Sequence, residues 1–252
     1  MDEKKDVKID IKGATEICFS WDTTGSMSSC IAQVRSKVEE TVEQLFQDIP
    51  GLKVGCISHG DYCDGARCID ILKLTADKNK IYKFIRNTPN TGGGDAPECY
   101  ELALHEARDM GWTEGVDSGR ALVLIGDDEP HTPDYPGNTK KLDWANEVIA
   151  LREIGVKVYP LQCLYSPHRQ TVNAFWSQIA ELSGSALLKL TDFNESAHNL
   201  MGVAYAAAGE DAYAMYEARA VASAAHFTSE TAANTSALRE EAKKFTAARH
   251  LK

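Results

Sequence analysis

The chain has 252 residues, enough for one large α/β domain or for one domain with an appendage. Its apolar and charged fractions, 43% and 25%, are ordinary for a globular protein. A formal net charge of −10 argues against general binding of nucleic acid or of anionic membranes.

Met1–Thr15 is charged and lacks the apolar stretch of a secretory signal. No apolar run approaches the roughly 20 residues that span a bilayer. The expectation is a cytoplasmic protein without membrane insertion. Seven cysteines, an odd number, then read as reduced thiols. Cys18, Cys56 and Cys163 fall inside strand-like runs and read as buried small apolar residues. Cys63 and Cys68, in YCDGARC, are also compatible with a loop disulfide or a soft-metal site, but no matching second pair stands nearby in sequence.

Apolar, β-branched runs alternate with helical patterns along the chain. Residues 15–21 (TEICFSW) read as a strand and 33–49 as an amphipathic helix that stops before Pro50. Two strands, LKVGCISHG and CIDILKL, precede a short helix at 79–87 and a longer one at 97–111. RALVLIGDD (120–128) is nearly continuously apolar, as in a strand buried on both faces. A helix at 142–155, a strand at 156–164 that contains Pro160, a helix at 170–184, a strand at 186–190 and a helix at 194–209 complete the rhythm. Gly111, Gly155 and Gly184 stand where helices should end. The pattern predicts an α/β fold: a doubly wound, mostly parallel sheet with helices on both faces.

Three parts follow from this reading: a charged segment at 1–15, the α/β domain at 16–208, and an alanine-rich, helix-favouring tail at 209–252. Large apolar residues are sparse in the tail. It reads as one or two docked helices, a linker, or a frayed end.

The informative stretch is FSWDTTGSMSSC (19–30), where the first strand ends at Asp22 and Thr24 and Ser26 follow in a turn. Open α/β sheets collect ligands at the carboxyl ends of their strands. One carboxylate with two hydroxyls is a poor nucleophile set, since no histidine follows nearby, but a good partial shell for a hard divalent cation. Helix capping by the same residues is the plainer alternative. Two more loops should reach that edge. LVLIGDDEPH delivers Asp127 and Asp128, and NTPNTGGGDAPE delivers Asp95 before Pro97. Asp95 is also a good helix cap, and the acids at 127–128 suit a solvated strand-end turn. Asp61 in SHGDY reads as a loop acid or as support for a site. His59 at a strand end reads as a packed, hydrogen-bonded residue, and His131 as a rim residue. No HExxH spacing and no GxxxxGK[ST] motif is present, so neither a zinc-protease pattern nor a P-loop applies.

DTTGSM resembles the metal-ion-dependent adhesion site (MIDAS) of von Willebrand factor A (vWA) domains, whose pattern is Asp-x-Ser-x-Ser. VLIGDDEPH is similar to the strand and loop that carry the family's last aspartate. TGGGDAPE and HGDYCD resemble the hemicentin-like and α-kinase-associated branch. The likeness covers roughly Glu16 to Ala208. It implies strand order 3-2-1-4-5-6 with the third strand antiparallel. It implies metal ligation by Asp22, Thr24, Ser26 and Asp127, and a middle-loop ligand at Asp95 or at Thr91. The implied cation is Mg²⁺, with Ca²⁺ and Mn²⁺ as alternatives. The implied function is non-enzymatic: a cation-dependent protein–protein interaction module whose partner supplies a carboxylate to the metal. A metal-assisted phosphoester hydrolase using Asp22, Asp127, Asp128 and His131 is one rival reading. A scaffold acting through its helical tail is another.

Overall fold

A computed structural model describes residues 13–115, 119–190, 196–223 and 229–250. Six strands form one sheet: β1 (Thr15–Asp22), β2 (Lys53–His59), β3 (Ile69–Thr75), β4 (Gly119–Gly126), β5 (Val156–Cys163) and β6 (Leu188–Leu190). Their order is β3-β2-β1-β4-β5-β6. Only the β2–β3 pair is antiparallel. This is the doubly wound α/β fold that the apolar rhythm predicts.

The sheet is buried on both sides because its central strands carry apolar residues in both phases. Ile17, Phe19, Trp21, Ala121, Val123 and Ile125 point to one face and join one core. Cys18, Leu122 and Leu124, one register step away, belong to a second core on the opposite face. A period of two with both phases apolar is the signature of a parallel sheet between helical layers.

Helix α1 (Ser28–Asp48) covers the first face. Its Ile31, Val38, Val42 and Leu45 are buried, spaced as one stripe of a 3.6-residue repeat. Helix α2 (Lys78–Asn87), capped by Asp77, adds Ile81 and Ile85. The second face takes α3 (Tyr100–Ala107), α4 (Trp144–Glu153) and α5 (Gln170–Ser183). The glycines after α4 and α5 adopt positive φ, 78° at Gly155 and 66° at Gly184, as helix-ending residues do. Pro160 is tolerated within β5 because β6 pairs only with Leu161–Cys163.

The alanine-rich tail is helical and docked. After α6 (Ser196–Ala208) come α7 (Glu210–Ser223) and α8 (Ser229–His250). Leu238 and Ala242 of α8, and Ala212, Tyr213 and Tyr216 of α7, join the first core. Small residues let the helices approach closely: a Cβ on Gly202 of α6 would lie 2.7 Å from Leu238 Cδ1. Three tyrosines replace the missing aliphatic bulk, with Tyr205 and Tyr216 stacked at 4.7 Å. Of the segment at 1–15, residues 1–12 lie outside the described residues.

Candidate metal centre

The first loop folds onto its own aspartate. Asp22 ends β1 fully buried, and its Oδ1 accepts the Thr24 N–H and the Thr24 hydroxyl, both at 2.7 Å. Ser26 lies 3.5 Å from the Thr24 hydroxyl and donates to Asp127 Oδ1 at 3.0 Å. Asp127 follows β4, so this bond joins the ends of two neighbouring strands. The capping alternative fails: neither the short 3-10 turn Gly25–Met27 nor α1 has a side-chain cap. The hydroxyls turn to the carboxylates instead.

Tyr100, the first residue of α3, holds both strand ends. Its O–H donates to Asp22 Oδ2 at 2.7 Å, and its oxygen accepts the N–H groups of Asp127 at 3.1 Å and Asp128 at 3.3 Å. The ring lies against Gly126, where a Cβ would overlap it. Asp128, of undefined role in the sequence, is tied down. Arg169 donates to its Oδ2 at 2.5 Å and to the Asp127 carbonyl at 2.6 Å, and the Trp176 indole N–H donates to the Asp128 carbonyl at 2.9 Å.

The middle loop departs from expectation. Helix α3 starts at Tyr100 rather than at Pro97, because the Glu98 N–H donates to the Glu129 carbonyl at 2.9 Å and residue 98 bridges to Pro130. Asp95 therefore does not cap a helix. Its carboxylate is about half exposed (48%) and lies 3.9 Å from His131 Nε2. Among the described residues it makes no hydrogen bond to Asp22, Thr24, Ser26 or Asp127. Thr91 pairs with Thr23, hydroxyl to hydroxyl at 2.8 Å. The residue that reaches the rim from this loop is Glu98, which sequence reasoning missed. It is 4% exposed, and its Oε2 is buried without a hydrogen-bond partner. Gly93, at φ 70°, lets the backbone pass between Glu98 and the first loop. A Cβ there would meet Glu98 Oε1 at 3.0 Å and the Thr24 Cβ at 3.5 Å. A proline followed by glutamate after three glycines was the available signal.

These carboxyls disfavour their own ionisation. Burial pushes Asp22 up to about 6, with the Asp127 charge adding to it and the Tyr100 and Thr24 hydrogen bonds opposing. Burial, then the charges of Asp22 and Asp61, raise Glu98 to about 9. Asp127 is also raised by burial and by Asp128, against the Ser26 bond and the Arg169 charge. Three buried or nearly buried carboxyls and two hydroxyls, with a carboxylate oxygen left unpaired, form an all-oxygen donor set. That chemistry fits a hard dication, whose charge would offset the repulsion.

The two histidines bond to other residues, His59 Nδ1 to the Ser20 hydroxyl at 3.3 Å and His131 to Asp61. His59, beside Asp22 in the β1–β2 register, is buried and neutral, its pKa pushed down to about 3 by burial. His131 Nε2 lies 2.7 Å from Asp61 Oδ1, and its ring stacks on Tyr135 at 3.8 Å. The cysteines with described side chains, Cys18, Cys56, Cys63, Cys68, Cys99 and Cys163, are free thiols. Among the described residues, no helix is long and apolar enough to cross a membrane.

No protein-family model matches the chain. A curated relative, an ariadne-like RING finger protein of Acanthamoeba polyphaga mimivirus, is 24% identical over 209 residues. The match covers 74% of this chain but only 19% of that protein, so the chain spans about a fifth of the relative's length. Solved structures with the same fold include the pilus adhesin SpaC of Lactobacillus rhamnosus GG in its open conformation. It has a TM-score of 0.61 at 14% identity, over 80% of this chain and 30% of the adhesin. The proximal thread matrix protein 1 of the mussel byssus aligns at TM-score 0.54 and 13% identity, over 78% of this chain and 46% of that one. At such identities the likeness is one of fold.

Proposed function

We propose that this chain is a vWA-type module that holds a divalent cation, Mg²⁺ by the hardness of its donors, and uses it to capture a carboxylate on a protein partner. The observation that carries this reading is the convergence of oxygen donors from three loops. Asp22, Thr24 and Ser26 follow β1, Asp127 follows β4, and Glu98 precedes α3 with an unpaired buried oxygen. Mg²⁺ favours octahedral oxygen and keeps several waters, which leaves a place for an outside ligand. Ser26, exposed at the turn, marks the side from which that ligand arrives. The carboxyl of Glu98 adds negative charge to the site, tightening its hold on the cation while lowering the charge left to attract an acidic partner.

The module is read as non-catalytic. Among the described residues neither nearby histidine hydrogen-bonds to the donor set, His59 pairing with Ser20 and His131 with Asp61, and Arg169 is occupied by Asp128 and the Asp127 carbonyl. That two proteins of this fold are an adhesin and a matrix protein supports a binding role. The test is affinity capture from the native source with Mg²⁺, with a chelator, and with Asp22→Ala as bait. A partner retained only by the parent in Mg²⁺ is expected. Equal retention in all three arms rejects a metal-bridged contact.

A further inference from the structure

A second cluster lies beside the rim, built from different chemistry. Asp61 follows β2, Cys99 precedes α3, and His131 lies in the loop after β4. One ligand atom from each, a carboxylate oxygen, a thiol sulfur and an imidazole nitrogen, lies within 4.8 Å of the other two. All three side chains are buried. Asp61 Oδ1 meets His131 Nε2 and accepts the Tyr62 N–H at 2.6 Å, while Asp61 Oδ2 is buried, with the Cys63 thiol as its neighbouring donor. Cys68 Sγ stands 3.1 Å from Cys99 Sγ and offers a fourth donor.

The cluster is held in place from outside. Glu101 accepts the Tyr62 hydroxyl at 2.8 Å and the His131 backbone N–H at 3.1 Å, and the Tyr62 and Tyr135 rings both lie against the His131 ring. The glycine-rich loop closes over it: a Cβ on Gly94 would lie 3.0 Å from Asp61 Oδ2 and 2.8 Å from Cys63 Sγ. This third glycine thus serves the second cluster, as Gly93 serves the first.

We propose that Asp61, Cys99 and His131 form a zinc site, with the Cys68 thiol as fourth donor. Mixed sulfur, nitrogen and oxygen ligation suits Zn²⁺ and not Mg²⁺, so the two clusters sort metals by softness. A tetrahedral zinc with bonds of about 2.0–2.3 Å holds its donors about 3.3–3.8 Å apart, so small side-chain rotations bring these atoms into range. Binding displaces the Cys99 and Cys68 thiol protons to solvent as the two sulfur–zinc bonds form, with no change in oxidation state.

The test uses the full chain, prepared reduced, loaded with Zn²⁺ and dialysed to remove excess, with bound metal counted by mass spectrometry. Co²⁺ replaces zinc in parallel to report a thiolate-to-metal charge-transfer band. One zinc per chain and a cobalt band are expected. Cys99→Ser should weaken the band to no more than the Cys68 contribution, and His131→Gln should weaken zinc binding by at least about tenfold. Cys63→Ser and Asp22→Ala should leave both signals intact, the latter separating this site from the magnesium rim. Should Cys99→Ser fail to fold by circular dichroism, His131→Gln decides. Absence of bound zinc in the parent, a band insensitive to Cys99→Ser, zinc lost with Asp22→Ala, or a Cys68–Cys99 disulfide in the freshly reduced chain would each overturn the proposal.

Discussion

One hydroxyl, that of Tyr100, touches three acidic residues: it donates to Asp22 and accepts the N–H groups of Asp127 and Asp128. Replacing it by phenylalanine leaves a buried carboxylate oxygen and two amides short of a partner. Tyr100→Phe should cost about 1.5–3 kcal/mol, read by denaturant unfolding. Gly126→Ala forces a methyl into the same ring. It should cost about 1–3 kcal/mol in the same assay, with the strand otherwise intact. Glu98 and Asp95 pose the sharper question. Glu98 is buried and unpaired on one oxygen, whereas Asp95 is half exposed and faces His131. Glu98→Gln should therefore weaken Mn²⁺ binding at the rim, followed by electron paramagnetic resonance, by at least about tenfold. Asp95→Asn should change it little. The reverse order would restore Asp95 as the middle-loop donor. Asp22, Thr24, Ser26 and Asp127 were legible because each sits at a strand end that apolar periodicity marks. Glu98 was not, because its place depends on a backbone bond to Glu129, 31 residues away in sequence and invisible to local pattern.

At the scale of elements, the alanine-rich tail shows where composition misleads. Its few large side chains suggested little burial, yet Tyr213, Tyr216 and Leu238 are buried on α6 and the sheet. Alanine and glycine make this possible by letting helix backbones come close. Leu238→Ala should cost about 2–5 kcal/mol, and its effect should appear in α6 as well as α8 by amide exchange. Polar contacts fix the orientation. Glu241 of α8 takes Lys157 at 2.8 Å and the Tyr159 hydroxyl at 3.3 Å, both from β5. Asp48 at the end of α1 accepts from Tyr205 of α6 and from Arg219 of α7. Burial alone would raise Asp48, but the bonds from Tyr205, Gln44 and Arg219 hold it below the usual aspartate range. A carboxyl depressed in the fold contributes stability above the unfolded pKa of about 3.9, and loses it as pH falls through the lower folded value. Protection against amide exchange in α6 and α7, taken relative to the intrinsic rate at each pH, should therefore fall below about pH 4. Asp48→Asn should remove that pH dependence. An unchanged acid response in Asp48→Asn would assign the coupling to other groups.

For the whole molecule, sheet order decides function by deciding which loops meet. With β1 between β2 and β4, the loops after β1 and β4 are neighbours by construction, and the segment before α3 crosses above them. The same order brings Asp61 after β2 beside Cys99 and His131. Alternating strands and helices predict such a sheet in outline. The register that sets Ser26 against Asp127 comes only from long-range pairing. In the function proposed above, one small dication reconciles buried carboxyls from separate loops. Titration calorimetry of Mg²⁺ into the metal-stripped parent and into Asp22→Ala tests it most directly. One Mg²⁺ per chain in the parent and no binding heat in Asp22→Ala is the predicted result. Matching isotherms for the two proteins, or none for the parent, would contradict it.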